Sequence, residues 1–244
     1  MQNRFLSVVI PVYGNSSTLN PLYLQIKNVL ETHQIFYEVL FVNDASPDDS
    51  KEVLAQLTQR DPRIRMISLS QNLGQNRAVL KGLEESLGER VVVLDADLQD
   101  PPEVIPSLLF ALDEGADAVF AGRRGKYESW VRLLGSRGFK WLLHKIAKTP
   151  IDAGLFVALD RSVVSSLLKM SRISSYLVGM IGFAAKNIRS IPVVRNRRAE
   201  GFSTYSCAQR IKLGSKALYE MLSLKWFFFR KVFMKAEDQV KRRK

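Results

Sequence analysis

The sequence predicts an α/β fold, a mostly parallel sheet with helices on both faces. Three observations carry that reading. Apolar β-branched runs alternate with amphipathic segments through the first half of the chain, as strand–helix–strand units require. The runs are apolar almost throughout rather than at every second residue, which suits strands covered on both sides. With 244 residues and 46% hydrophobic content, the chain can bury the core such a sheet needs.

The elements follow in order. Leu6–Val12 reads as a first strand, and Leu19, Leu22, Ile26, Val29 and Leu30 recur at helical spacing. Tyr37–Val42 is a second strand, after which Ser50 can cap a helix that buries Val53, Leu54 and Leu57. Ile64–Leu69 is a third strand, a helix follows Asn72, and Arg90–Leu94 is a fourth strand. Pro101 and Pro102 open the next helix, because proline suits a first helical turn. Ala116–Ala121 is a fifth strand.

The second half is less regular. Ser129–Lys148 predicts an amphipathic helix, Leu155–Leu159 a short strand, and a helix starts at Arg161. Ile188–Val194 is another strand, and a polar loop, Arg195–Ser206, precedes a C-terminal helix. The expected organisation is one domain over 1–215, then an amphipathic helix and basic tail over 216–244.

Charge divides the chain. Residues 1–122 carry 9 Lys+Arg against 17 Asp+Glu, and residues 123–244 carry 27 against 7, giving +12 overall. An acidic half can hold a cation, and a basic half can meet phosphate or an anionic surface. A protein that coats nucleic acid would explain the total but not the acids gathered at strand ends, so that reading is a remote alternative and no nucleic-acid partner is expected. No segment reaches the roughly 18 consecutive apolar residues of a membrane span. The N-terminus runs straight into a strand pattern without the apolar stretch of a signal peptide. The single cysteine, Cys207, fits a reducing compartment. A cytoplasmic location, at the inner face of a membrane, is expected.

The chemistry is sought beyond the carboxyl ends of the strands, where such sheets bind ligands. Asp44 directly follows the second strand, and Asp95 and Asp97 follow the fourth. A carboxylate in the first position can accept from a base N–H or a ribose hydroxyl, and the same residues also suit a turn. Asp95 and Asp97 stand side by side and repel each other unless a cation or proton intervenes. Hard oxygen ligands suit Mg²⁺ or Mn²⁺, which also grip a diphosphate. A helix-capping role before the prolines fits Asp100 better than either.

Val9-Ile-Pro-Val-Tyr13, Val42-Asn-Asp-Ala-Ser46, Asn72-Leu-Gly74 and Leu94-Asp-Ala-Asp-Leu-Gln-Asp-Pro-Pro102 occur in this order. Together they resemble the inverting family-2 glycosyltransferases of GT-A (Rossmann-like) fold. The last string is most similar to the branch that makes polyprenyl-phosphate sugars, such as dolichyl-phosphate mannose synthase. The resemblance implies that Pro11, Tyr13 and Asp44 line the nucleoside pocket and that Asp95 contacts the nucleoside or the metal. It implies Asp97 as main metal ligand and Gln99 beside the diphosphate and sugar. It places Arg123, with Arg124 as close competitor, as the catalytic arginine after the fifth strand. Arg198 and Ser203 fall in a string similar to the family's Arg-x-x-Gly-x-Ser-Lys loop, which closes over phosphate. Two departures stand out: Gly14-Asn15 replaces the frequent Asn-Glu, and Thr204 replaces the closing lysine. The second removes a phosphate contact or moves it to Arg195, Arg197 or Arg198.

The implied reaction is metal-dependent, inverting transfer of a sugar from a nucleotide-diphosphate sugar. With a polyprenyl phosphate as acceptor no general base is needed. With a sugar hydroxyl of a lipid-linked or soluble acceptor, as in surface-polysaccharide assembly, one is. Asp152 is the carboxylate that the resemblance puts on the acceptor side, and it also reads as a turn residue. Residues 219–244 combine Trp226, Phe227, Phe228, Phe229 and Phe233 with Lys and Arg. That mixture suits a helix lying in a lipid interface. The plainer reading is a helix packed on the domain or against a second copy in a homo-oligomer.

Overall fold

The computed structural model describes residues 4–124, 141–142, 144–196 and 214–226. Strands β1 (Leu6–Val12), β2 (Tyr37–Asn43), β3 (Ile64–Ser68) and β4 (Arg90–Val93) alternate with helices α1 (Ser16–Thr32), α2 (Ser50–Arg60) and α3 (Gln75–Glu85). A single 3-10 turn, Pro102–Val104, leads into α4 (Ile105–Asp113), and β5 (Ala118–Arg124) follows. Beyond it come β6 (Val157–Asp160), α5 (Arg161–Met170), α6 (Leu177–Ala184) and β7 (Ile188–Val194). Residues 141–142, 144–147 and 214–226 are also helical.

The described strands form one sheet in the order β3-β2-β1-β4-β6-β5-β7. Strands β1 to β4 run parallel to one another, β6 is antiparallel to both β4 and β5, and β7 is parallel to β5. Two apolar clusters cover the two faces. Val8, Ile10 and Val12 face α1, α2 and α4, while Val9, Val91 and Val93 face α3, α5, α6 and the 214–226 helix. This is the expected α/β architecture, and the chain's β-branched strands are buried on both sides as their composition requires.

Several boundaries differ from the sequence reading. β5 starts two residues later than expected and runs on through Arg124, because β7 pairs with it as far as Arg123 opposite Val193 and Arg124 opposite Val194. Arg123 and Arg124 therefore lie in the strand, not after it. The short strand shifts to Val157–Asp160 and is antiparallel. Helix α6 was not predicted. Its segment, LVGMIGFA, is apolar all round, so it carries no periodicity to read. Ser50 does not cap α2. It is the buried first residue of that helix, and its hydroxyl donates to Asp48 Oδ1 at 2.6 Å. Of the expected 129–148 helix, 129–140 and 143 lie outside the described residues.

Helix 214–226 lays Ala217, Met221 and Leu224 into the second cluster and leaves Tyr219, Leu222 and Trp226 outward. No described helix is long and apolar enough to cross a membrane.

Candidate active site

The strand directions decide which residues meet. β1 to β5 and β7 all end at one edge of the sheet, and antiparallel β6 begins there. The loops carrying Tyr13, Asp44, Asn72–Gly74, Asp95–Asp100, Asp152 and Arg195 therefore gather at a single edge. They come from positions scattered over most of the chain.

On one side, three backbone N–H groups at the start of α1 and in the loop before it donate to side chains at the start of α2 and in the loop before it. Gly14 reaches Ser46 Oγ at 3.3 Å, Asn15 reaches Ser50 Oγ at 3.3 Å, and Ser16 reaches Asp48 Oδ2 at 2.9 Å. Burial works to raise the Asp48 carboxyl, but hydrogen bonds from Ser50 and Ser16 outweigh it and hold it below the usual carboxylate range. Asp44 is 2% exposed. Its two oxygens accept from Leu73 N at 2.7 Å and Gly74 N at 2.8 Å, which pins the loop after β3. The next residue along, Gln75, donates from Nε2 to Asp95 Oδ1 at 2.6 Å. Asp44 and Asp95 are thus joined through Gly74 and Gln75.

The turn after β4 is the most constrained part of the edge. Thr18 Oγ1 donates to Ala96 O at 2.6 Å, which fixes the peptide between Asp95 and Asp97. Asp97 Oδ1 accepts from Gln99 N at 3.1 Å. Between them Leu98 has φ 61, and Ala45, directly after Asp44, has φ 52. Positive φ in a residue with a β-carbon is costly, and it persists only where the surroundings over-determine it. Here it re-aims two acidic turns.

Asp100 does not cap the helix that follows. The residue is 1% exposed, its Oδ2 accepts from the Asp95 N–H at 3.3 Å, and its Oδ1 accepts from Arg195 Nε at 2.6 Å. One terminal nitrogen of Arg195 points to Gln99 Oε1 at 3.4 Å; the other also pairs with Asp100 Oδ1 and lies 3.4 Å from Asp95 Oδ2. Burial opposes the charge on Arg195, but Asp100 and then Asp95 outweigh it and raise its pKa above the ordinary value.

Asp152 lies just ahead of β6, with Oδ2 accepting from Ser190 Oγ of β7 at 2.9 Å. It packs directly over Gly122, where a β-carbon would overlap both Asp152 Oδ2 and Ser190 Oγ. Close approach of the carboxylate to the β5 backbone is what this glycine permits.

Pro11 is buried within β1 opposite Val42, whereas Tyr13 is half exposed at the edge. Arg198 and Ser203 lie outside the described residues. The sequence does not mark Thr18, Asp48, Gln75 or Asp100 as site residues. Only the spacing Asp95-x-Asp97-x-x-Asp100 hinted at one of them. A concavity of about 930 Å³ opens at the opposite edge, bordered by residues such as Phe36, Tyr37, Arg63 and Arg90, and none of the site acids lines it.

A divalent ion fits the donor set at the acidic turn. No three His, Cys, Asp or Glu side chains converge into a ready cage among the described residues. Mg²⁺-like ions at diphosphate sites need only one or two carboxylates, the phosphates supplying the rest. Asp95 and Asp97, in the turn after β4, could supply those one or two carboxylates.

Comparison with known proteins identifies the family and the fold. The family model described as "Glycosyl transferase family 2" matches residues 7–171. The chain is 32% identical over 210 residues to the uncharacterized glycosyltransferase YkcC of Bacillus subtilis, covering 85% of this chain and 65% of that protein. It is 34% identical over 213 residues to the undecaprenyl-phosphate 4-deoxy-4-formamido-L-arabinose transferase of Edwardsiella ictaluri, covering 86% and 66%. The chain thus spans a little under two thirds of the length of these relatives. Its fold is similar to that of glucosyl-3-phosphoglycerate synthase from Mycobacterium tuberculosis, solved with Mn²⁺, UDP and glucosyl-3-phosphoglycerate. That match has a TM-score of 0.64 at 19% identity and covers 90% of this chain and 79% of the synthase.

Proposed function

The chain belongs to glycosyl transferase family 2, and from that premise we propose that it transfers a sugar from a nucleoside-diphosphate donor to a hydroxyl of a lipid-linked or soluble sugar-containing acceptor, inverting the anomeric carbon. The observation that carries this is the gathering of Asp44, Asp95, Asp97, Asp152 and Arg195 at one sheet edge. Asp44 and Tyr13 take the nucleoside. Asp97, with Asp95, holds Mg²⁺ or Mn²⁺, a reading supported by the Mn²⁺ and UDP found with the Mycobacterium tuberculosis synthase. When bound, the ion offsets negative charge on the diphosphate. Gln99, Arg123 or Arg124, Arg195, Arg198 and Ser203 supply donors to the phosphates and the sugar.

In the step itself, the acceptor oxygen forms a bond to the anomeric carbon as the bond from that carbon to the diphosphate oxygen breaks. The diphosphate leaves with the electron pair, and Asp152 takes the acceptor proton. Ser190 holds Asp152 Oδ2, and Gly122 lets the carboxylate sit against the strand end. Asp152→Asn tests this assignment. Turnover should fall by about 10²- to 10⁴-fold, the usual worth of a general base, with donor binding unchanged. A thermal-shift screen of uridine, guanosine, cytidine and thymidine diphosphates with Mn²⁺ identifies the donor base.

A second reading, transfer to a polyprenyl phosphate, is favoured by the name of the Edwardsiella ictaluri relative. A phosphate acceptor is already anionic, so near-normal turnover of Asp152→Asn would select it. Both readings suit a protein at the inner face of a membrane, with 216–244 as an extension that touches lipid. Tyr219, Leu222 and Trp226 are outward on helix 214–226, the arrangement of an interfacial helix. Flotation with anionic vesicles should fail for a chain carrying Tyr219→Ser and Trp226→Ser, and unchanged binding would discard the contact.

A further inference from the structure

Arg195 presents an unusual conflict. All three of its guanidinium nitrogens are committed to the acidic turn: Nε and one terminal nitrogen grip Asp100, that terminal nitrogen also reaches Asp95 at 3.4 Å, and the other reaches Gln99. The same Asp95 is a carboxylate that a divalent ion would draw on, and a diphosphate would want the same guanidinium. One cation cannot serve all of these partners in full.

We propose that Arg195 competes with the divalent ion for the Asp95–Asp100 turn, so that the ion loads firmly only together with the nucleoside diphosphate. The proposal rests on the metal-assisted donor reading above and adds an order of events to it. Three features support it. The Arg195 side chain is 15% exposed, so its charge is screened weakly by solvent and weighs on the neighbouring carboxylates. It also lies 3.4 Å from Asp95, and two positive charges at one carboxylate repel each other at that range. Finally, the Asn196 N–H donates to Gln99 O at 3.0 Å, so the backbone beside Arg195 is tied to the turn independently of the guanidinium. The side chain can swing to a phosphate while the loop stays docked.

In the proposed sequence, the diphosphate brings negative charge that draws the Arg195 fork away from Asp95. A planar fork recognises phosphate oxygens as readily as carboxylate oxygens. Asp95 is then released to the ion. Arg195 is a positioning residue in this scheme: it sets which carboxylate oxygens are available, and when.

The test reads Mn²⁺ binding rather than turnover. Free Mn²⁺ is followed by electron paramagnetic resonance during titration of the full chain without nucleotide. Arg195→Gln should bind Mn²⁺ about tenfold more tightly than the unaltered protein, the ordinary scale of coupling between two ligands. Arg195→Lys keeps the charge but cannot span Asp95 and Asp100 together, and should show a gain of a few-fold. It also carries the test if Arg195→Gln does not fold. A nucleoside diphosphate should tighten Mn²⁺ binding strongly in the unaltered protein and much less in Arg195→Gln. Equal or weaker nucleotide-free binding by the folded variants, with a normal nucleotide effect in the unaltered protein, overturns the role of Arg195 alone. An unaltered protein whose Mn²⁺ affinity no nucleoside diphosphate raises overturns that role together with the donor reading.

Discussion

Asp61 and Asp100 are both almost wholly buried aspartates held by an arginine, one at each edge of the same sheet. Asp61 takes Arg63 Nε at 2.9 Å, a second Arg63 nitrogen at 2.6 Å, the Arg63 backbone N–H at 3.0 Å and the Tyr23 hydroxyl. Its cation stands two residues away on the same turn, and Arg63 also stacks over the Tyr37 ring at 4.7 Å. Asp100 takes its arginine from 95 residues away, on the loop after β7. The first pair is local and saturated, so it can only stabilise. The second joins distant loops beside Leu98, a residue in the left-handed conformation. The same residue types make a pair within one turn at one edge and a pair between distant loops at the other, because the strands' carboxyl ends carry loops that several elements share.

The largest effect that could break this contrast comes from the acidic turn. Asp97→Asn should lower turnover about a thousandfold, the scale of losing a main electrostatic contact in the transition state. Its urea unfolding midpoint should stay close to that of the unaltered protein. Loss of fold instead would make the two edges alike.

The opposite edge should answer in stability. Asp61→Ala should cost about 3 kcal/mol by urea denaturation, the low end for a broken buried pair since Arg63 is partly exposed. Turnover per folded molecule should be unchanged. The Arg63 guanidinium, working against burial, holds the Asp61 carboxyl well below the usual carboxylate range. A depressed folded pKa gives stability that is fully present above the unfolded value, about 3.9. It is lost as pH falls from there toward the folded value. The difference in unfolding free energy between the unaltered protein and Asp61→Ala should therefore narrow between pH 7 and pH 3.

Smaller changes sharpen the contrast. Gly122→Ala should displace Asp152 and cut kcat about a hundredfold, as a misplacement near 1 Å does, with donor affinity held in a binding assay. Ser190→Ala removes one hydrogen bond to that carboxylate and should cost kcat about fivefold, equivalent to about 1 kcal/mol.

Much of the fold is legible in the sequence. Buried strands such as Leu6–Val12 and amphipathic helices such as Ser16–Thr32 declare themselves through runs and spacing, because side-chain burial follows backbone periodicity. That Asp44, Asp95 and Asp97 would meet at one edge was legible because they stand one, two and four residues beyond the ends of parallel strands. Helix α6 was not, since a segment apolar on every side has no phase. The partners of the acids were equally hidden. Nothing near Asp100 in sequence points to Arg195, and nothing near Gly122 points to Asp152.

What the sequence by itself determined is therefore the local half of the protein: the strands and most of the helices, the acidic turns that follow strands, and the family those motifs resemble. Only the tertiary structure decided that β6 runs antiparallel, so that Asp152 arrives at the same edge as Asp97, and that Arg195 returns from β7 to the carboxylates after β4. The physical reason is that periodicity and turn chemistry act over a few residues, whereas strand order and direction are set by how the whole chain closes its two apolar faces.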